Sequence, residues 1–323
     1  MARGSSVLLQ PLLQLRHRAR ELDLFSLNRA SSRLAGNVKA RFRGRGIDFD
    51  EVRYYHPGDD VRAIDWRVTA RTGDAHIKLF REERERPVLV ACDQRNSMQF
   101  GSRRCFKSVQ AAELTALISW AALQHNDRVG GLVFSDRQHS EIRPARSKSA
   151  VLKLLRVLCD YSDAAVSQGQ ADTTGRNDWS IDAAIIELRR IARPGSAVFI
   201  ISDFAGLSET GVKHLRLLQR HCDVRALFVY DPMERALPDR GGRYVTQGDA
   251  IVPVDLSDRQ LRATFTAQFD TRVASLQEQL AQQSIPLLTI STLDDALAVL
   301  RESFYCSSPG GRPARQQDTV SGP

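Results

Sequence analysis

Five short apolar runs, each followed by residues at helical spacing, constrain this chain more than any other feature. They begin at Pro87, Arg128, Ala197, Val224 and Pro286. Pro87-Val88-Leu89-Val90-Ala91-Cys92 is apolar throughout rather than alternating. A strand reads that way when both of its faces are covered. Helical patterns occupy 106–124, 149–158, 179–191, 211–219, 257–283 and 293–302, with Ser257, Asp258 and Gln260 as an N-cap group for the longest. Buried strands alternating with helices predict an α/β fold with a doubly wound, mostly parallel sheet. Residues 140–146 alternate and read as a hairpin strand beside the 128–135 run, and 243–256 reads as a polar hairpin.

The text before Pro87 is of another kind. Residues 8–27 have apolar positions Leu12, Leu15, Ala19 and Leu22 at helical spacing, and Gly36, Gly44 and Gly46 break the pattern. From 47 to 80 the sequence is dense in aromatic, charged and turn residues, which predicts short strands and turns. The expected organisation is a basic N-terminal helix or arm over 1–30 and a charged-aromatic β segment over 31–86. The α/β domain follows over 87–303, and a disordered tail rich in Pro, Gly, Ser and Gln over 304–323.

Charge is placed unevenly. Residues 1–47 carry Lys39 and nine arginines against Glu21 and Asp23, and the rest of the chain balances, so the whole excess of +8 lies in this segment. Such asymmetry points either to an acidic partner or to a solvated arm. Only Phe25 and Phe42 could stack on bases there, which argues against a single-strand nucleic-acid groove. No run reaches the roughly 18 apolar residues of a membrane span. The apolar patch Val7 to Leu15 is interrupted by Gln10, Pro11 and Gln14 and followed by arginines, unlike a signal peptide. The five cysteines are scattered, with no Cys-x-x-Cys pair. That usage suits a reducing compartment, and the expected location is cytoplasmic.

In doubly wound sheets ligands bind beyond the carboxyl ends of the strands. The first buried run leads into Asp93-Gln94-Arg95-Asn96-Ser97 and the third into Ser202-Asp203-Phe204. A polar loop supplies Thr173, Thr174 and Asn177 from a third direction. Oxygen ligands from three loops suit a hard divalent cation such as magnesium. The structural reading of the same residues is that both aspartates cap the helices that follow.

Asp93-x-Arg95-x-Ser97 resembles the Asp-x-Ser-x-Ser signature of the metal-ion-dependent adhesion site in von Willebrand factor A domains. The upstream text is more specific. Gly44-x-Gly46-x-x-Phe49-x-x-x-Arg53-x-Tyr55-x-Pro57-Gly58-Asp59-Asp60-x-Arg62-x-Ile64-Asp65-Trp66, then Ala70-Arg71, resembles the core of domain-of-unknown-function family fifty-eight. The resemblance covers about residues 30–135 well and the α/β pattern agrees to about residue 302. It implies a von Willebrand factor A-like fold and partnership with a MoxR-type AAA+ ATPase and other von Willebrand factor A proteins; it does not imply a catalytic activity, and a non-enzymatic role is expected. The implied metal ligands are Asp93, Ser97, Asn177 and Asp203. Arg95 stands where the first serine belongs, and its guanidinium is expected to fold back over the carboxylates and replace the ion. Arg53, Tyr55, Asp59, Asp60, Arg62, Asp65, Trp66 and Arg71 read either as an ion-pair cluster pinning a small β subdomain or as a docking face.

Two other function classes compete with an interaction module. A phosphatase or nuclease would use Asp93 and Asp203, but a dehalogenase-type site wants a second Asp where Arg95 stands. The chain has no phosphate-binding loop of the Gly-x-x-x-x-Gly-Lys-Ser/Thr type and no Gly-x-Ser-x-Gly nucleophile turn. Nucleic-acid binding through the basic segment would show a steep dependence on salt.

Overall fold

The computed structural model describes residues 4–22, 47–56, 61, 64–82, 87–168, 179–238, 242–247, 250–255 and 258–305. Two compact units divide the chain, Ala35–Glu85 and the remainder.

The larger unit is a mixed α/β body. Its sheet is built from β3 (Pro87–Asp93), β4 (Arg128–Phe134), β5 (His139–Ala145), β6 (Ala197–Ser202), β7 (Asp223–Tyr230) and β10 (Leu287–Ser291). The strand order is β10-β7-β6-β3-β4-β5, parallel except for β5, which pairs antiparallel with β4. All five apolar runs form strands within a residue of their expected starts. β3 and β6 occupy the centre, so their side chains are buried on both faces. Val88, Val90 and Cys92 enter one core while Leu89 and Ala91 enter the other, as the period-2 geometry of a strand requires. β3 and β4 approach closely because β4 carries Gly131, where a Cβ would lie 2.7 Å from the Val90 carbonyl oxygen.

The helices in chain order are α1 (Leu9–Arg18), α2 (Trp66–Thr72), α3 (Lys107–Gln124), α4 (Lys148–Gln168), α5 (Ile181–Ile191), α6 (Glu209–Gln219), α7 (Pro232–Arg235), α8 (Arg259–Ala281) and α9 (Ala296–Tyr305). All but α2 belong to the larger unit. Helix α3 is buried from Lys107 to Ala122, whichever way its residues point. A helix enclosed on all sides needs cover beyond the sheet, and α1 supplies it. Leu12, Leu15, Ala19 and Leu22 lie in the same core as β3 and α3. The Trp120 indole donates to the Leu12 carbonyl at 3.1 Å, and the Val7 amide to the Ser162 hydroxyl at 2.8 Å. Residues 9–22 are therefore not a solvated arm. Their basic side chains line the outer face of a helix whose inner face is core, and Arg18 pairs with Asp295 at 2.7 Å.

Helix α4 runs ten residues beyond its expected end at Leu158, because Tyr161 and Ser162 are buried although the surrounding text is polar. The long helix α8 is capped by Asp258, whose carboxylate accepts from the Gln260 and Leu261 amides. The polar hairpin forms as β8 (Gly242–Gln247) and β9 (Ala250–Asp255). Among the described residues no helix is long and apolar enough to cross a membrane.

The smaller unit pairs β1 (Ile47–Tyr54) antiparallel with β2 (His76–Glu82). Between them lies α2, where the sequence predicts only strands and turns. Its text, Trp-Arg-Val-Thr-Ala-Arg-Thr, sets Ala and two Arg against Trp, Val and two Thr, so propensity leaves the choice open. The ends decide instead: the Asp65 carboxylate accepts from the Arg67 and Val68 amides, and Gly73 closes the helix in the left-handed region at φ 83°. Replacing Leu12 with Ala is expected to cost the larger unit about 2–5 kcal/mol, read by urea unfolding. Leu9→Ala, at an exposed position of the same helix, should cost less than about 0.5 kcal/mol.

Candidate functional site

The two strand-end aspartates come together at the carboxyl edge of the sheet. Asp93 ends β3, and Asp203 follows directly after its parallel neighbour β6. Both are buried, at 0% and 4% exposure. Chain direction at the second position is set by Phe204, which takes a left-handed φ of 50° with its ring buried. That conformation is costly for a bulky side chain. Here burial of the ring and the hydrogen bond from the Phe204 amide to the Ser202 hydroxyl hold it.

Arg95 folds back over Asp93. Its Nε lies 3.0 and 3.1 Å from the two carboxylate oxygens and its Nη2 lies 2.7 Å from Oδ2. The same Nη2 is 3.6 Å from Asp203 Oδ1, and Nη1 donates to the Ala205 carbonyl at 3.0 Å. The guanidinium also stands 5.8 Å from the centre of the Phe134 ring. Ser202 donates to Asp93 Oδ2 at 2.7 Å. Burial pushes the Asp93 carboxyl above its ordinary value, against the pull of Arg95.

Lys107 holds Asp203 from the other side. This lysine, 1% exposed, places Nζ 2.9 Å from Asp203 Oδ2 and 2.7 Å from Glu234 Oε1. Burial pushes the Asp203 carboxyl up, but Lys107, the Ala205 amide and Arg95 outweigh it and hold the carboxyl below the usual range. A cation in the first turn of a helix opposes the macrodipole. Its position at the start of α3 is accounted for by the two carboxylates it meets.

The network continues along the edge. Glu234 accepts from the Asp231 amide, and Asp231, at the end of β7, caps α7. Asp231 also accepts from the Ser102 amide at 2.9 Å, the Ser102 hydroxyl at 2.6 Å and the Thr292 hydroxyl at 2.6 Å. Burial pushes this carboxyl up, and these donors bring it below its ordinary value. The carboxyl ends of β3, β6, β7 and β10 are thus joined by one set of charged hydrogen bonds.

Of the implied metal ligands, the structure brings Asp93 and Asp203 together. Ser97 is exposed in a 3-10 turn over Asn96–Met98, and Asn177 lies outside the described residues. The donor set does not fit a divalent ion as it stands, because the carboxylate oxygens already face Arg95, Ser202 and Lys107. Among the described residues no group of three or more His, Cys, Asp or Glu side chains is placed to hold a metal. The purely capping role weighed for the two aspartates is too small for what they do. Sequence reasoning missed Lys107, Glu234 and Asp231. A lysine at a helix start, facing the wrong end of the dipole, was the available signal.

In the smaller unit, Asp59, Asp60 and Arg62 lie outside the described residues. Asp65 is the N-cap of α2, Arg53 donates to the Tyr54 carbonyl at 3.1 Å, and the Tyr55 amide donates to the Ala75 carbonyl at 2.8 Å. Trp66 is 70% exposed and Tyr54 61% exposed, with the Tyr54 ring 4.6 Å from that of His76. Arg67 and Arg71, one helical turn apart, are exposed as well.

A family model described as "Protein of unknown function DUF58" matches residues 51–274. The uncharacterized proteins Mb1516 of Mycobacterium bovis and Rv1480 of Mycobacterium tuberculosis are each 29% identical to this chain over 280 residues, covering 86% of it and 85% of theirs. Among solved structures, BatB from Bacteroides thetaiotaomicron covers 69% of this chain with 98% of its own, at 17% identity and a TM-score of 0.41. An aerotolerance-related membrane protein from Bacteroides fragilis has the same coverage and identity with a TM-score of 0.42.

Two outcomes test the strand-end network. Lys107→Met leaves Asp203 and Glu234 without their shared cation and should cost about 3–5 kcal/mol in urea unfolding. The pH dependence has a definite sign. A carboxyl held below its unfolded value of about 3.9 stabilises the fold above that pH, and this stabilisation is lost as pH falls through the folded value. The Asp203 and Asp231 contributions should therefore be lost as pH falls below about 4, while Asp93, held high, contributes in the opposite sense. The thermal unfolding temperature should accordingly fall less with acid in Asp231→Asn than in wild type.

Proposed function

The chain belongs to the DUF58 family of proteins of unknown function, and on that premise we propose that it is a non-enzymatic docking module. Its partner is a MoxR-type AAA+ ATPase, together with other von Willebrand factor A proteins, in chaperone-like assembly of client proteins. The partner follows from the family resemblance of the residue 44–71 motif. The α/β body is read as von Willebrand factor A-like, and the cytoplasm as the place of work. Cys92, Cys105 and Cys222 are buried, where a thiol serves as a small apolar side chain, and this use of cysteine supports a reducing compartment.

One observation carries the docking reading. The small unit turns Tyr54, Val61 and Trp66 to solvent at 61%, 59% and 70% exposure, with exposed Arg67 and Arg71 on the same short helix as the tryptophan. Trp, Tyr and Arg are the residue types that dominate binding energy at protein interfaces. Guanidinium groups beside them favour an acidic partner surface. At the strand ends, by contrast, the side chains with reactive chemistry are engaged with one another. Asp93, the nucleophile that a phosphatase reading needs, has its oxygens covered by Arg95 and Ser202. Within the basic N-terminal segment, residues 9–22 are bound to the core along their apolar face, and no described feature specifically favours nucleic acid as the partner.

The test is co-purification of the tagged full chain with the MoxR-type ATPase of the same genome. Wild type should retain the ATPase. Trp66→Ala and the pair Arg67→Glu/Arg71→Glu should weaken retention about tenfold or more, with unchanged circular dichroism. Retention by wild type and all variants alike moves the docking face elsewhere. No retention by wild type overturns the partnership.

A further inference from the structure

Two carboxylates buried side by side at adjacent strand ends repel, and one of them keeps a proton unless positive charge is supplied. Many proteins supply it as a bound divalent ion with oxygen ligands. In this chain the positive charge comes from elsewhere. One cation is the Arg95 guanidinium, 2.7 Å from Asp93 and 3.6 Å from Asp203. The other is the Lys107 ammonium, 2.9 Å from Asp203 and 2.7 Å from Glu234. Arg95 and Lys107 are themselves buried, at 7% and 1% exposure, so neither has water as its alternative partner.

We propose that Arg95 and Lys107 act jointly as a built-in replacement for a divalent cation, so that the strand-end site is assembled without metal. This inference goes beyond the docking reading and does not depend on it.

The argument rests on charge and on place. A guanidinium and an ammonium together carry the charge of one divalent ion. Each bridges two carboxylates, Arg95 joining Asp93 to Asp203 and Lys107 joining Asp203 to Glu234. Each also arrives from a different element, β3's exit loop and the first turn of α3, so the pair ties those elements to β6 and α7 as a shared ion would. A guanidinium offers several donors in a fixed fork, and here the fork is filled by Asp93, Asp203 and the Ala205 carbonyl. Arg95 alone does not complete the replacement. With Arg95 shortened, the Lys107 ammonium still stands against Asp203, and it repels an incoming metal ion. Removal of both cations leaves the Asp93 and Asp203 carboxylates and the Ser202 hydroxyl, oxygen groups of the kind hard divalent ions take, with water to complete the shell.

The experiment is thermal unfolding of the full chain in EDTA, in magnesium and in manganese, with calorimetric titration of the same proteins. Wild type should show the same transition in all three and no measurable binding. Arg95→Ser/Lys107→Ser should unfold at a lower temperature in EDTA and recover by several degrees in metal, as selective binding to the folded state requires. The charge-preserving variants Arg95→Lys and Lys107→Arg should remain indifferent to metal. Should the serine double variant not fold, the neutral double variant Arg95→Gln/Lys107→Gln, which keeps hydrogen-bonding side chains at both positions, decides by the same criterion. Metal binding by wild type that raises its transition overturns the proposal. So does a loss of stability in the double variants that neither metal restores, since that is the behaviour of ordinary ion-pair braces.

Discussion

Asp203 is the point on which the carboxyl edge of the sheet depends. It lies between two buried cations that reach it from opposite sides, Arg95 from the loop after β3 and Lys107 from α3. Its backbone is fixed too, since the Arg272 guanidinium donates to its carbonyl at 2.8 Å. Buried ion pairs are poor sources of net stability, because desolvation consumes most of the attraction. They are strong sources of uniqueness, because any arrangement that separates them leaves a charge without water or partner. In the observed strand order, Asp93, Arg95, Asp203, Lys107 and Glu234 meet within one network at the carboxyl edge.

The buried network explains why α3 is enclosed. A lysine at a helix start ordinarily reaches water. To hold Lys107 against Asp203, α3 must lie close over the sheet, with its remaining faces covered by α1, α4 and α9. α3 accordingly carries a mixed buried set, apolar residues beside Gln110, Glu113, Thr115 and Ser119. Several of these polar groups are answered from nearby loops: Arg104 pairs with Glu113, and Gln110 donates to the Asp294 carbonyl at 3.2 Å. The N-terminal segment is drawn in by the same need. Its basic residues stay at the surface because the apolar positions at helical spacing take the inner face.

The parts of the fold that were legible in the sequence are those set by local pattern. The apolar run at Pro87 could only be a strand covered on both faces, and the rule that ligand-facing residues follow such strands led directly to Asp93 and Asp203. Arg95 was legible because it is two residues from one of them. Lys107, Glu234 and Asp231 were not, since each meets the site only through the packing of an element distant in the chain. Helix α2 was hidden for a different reason. The propensities of its residues leave the choice open, and its existence rests on Asp65 and Gly73 at the ends rather than on the text between them. The N-terminal helix was legible from Leu12, Leu15, Ala19 and Leu22 at helical spacing, but spacing alone does not say which element covers that face.

The two units meet their surroundings by opposite means. In the α/β body, at the carboxyl ends of the strands, the described charged side chains Asp93, Arg95, Asp203 and Lys107 are engaged with one another. The small unit has the reverse character. Its described part, a two-stranded sheet with one short helix, has little apolar area to bury by itself. Yet it spends Tyr54, Val61 and Trp66, three of its larger side chains, on solvent. Apolar area left in solvent adds nothing to the stability of the unit that carries it. The exposure is explained if those side chains are buried by a partner, in which case association and folding of the small unit reinforce each other.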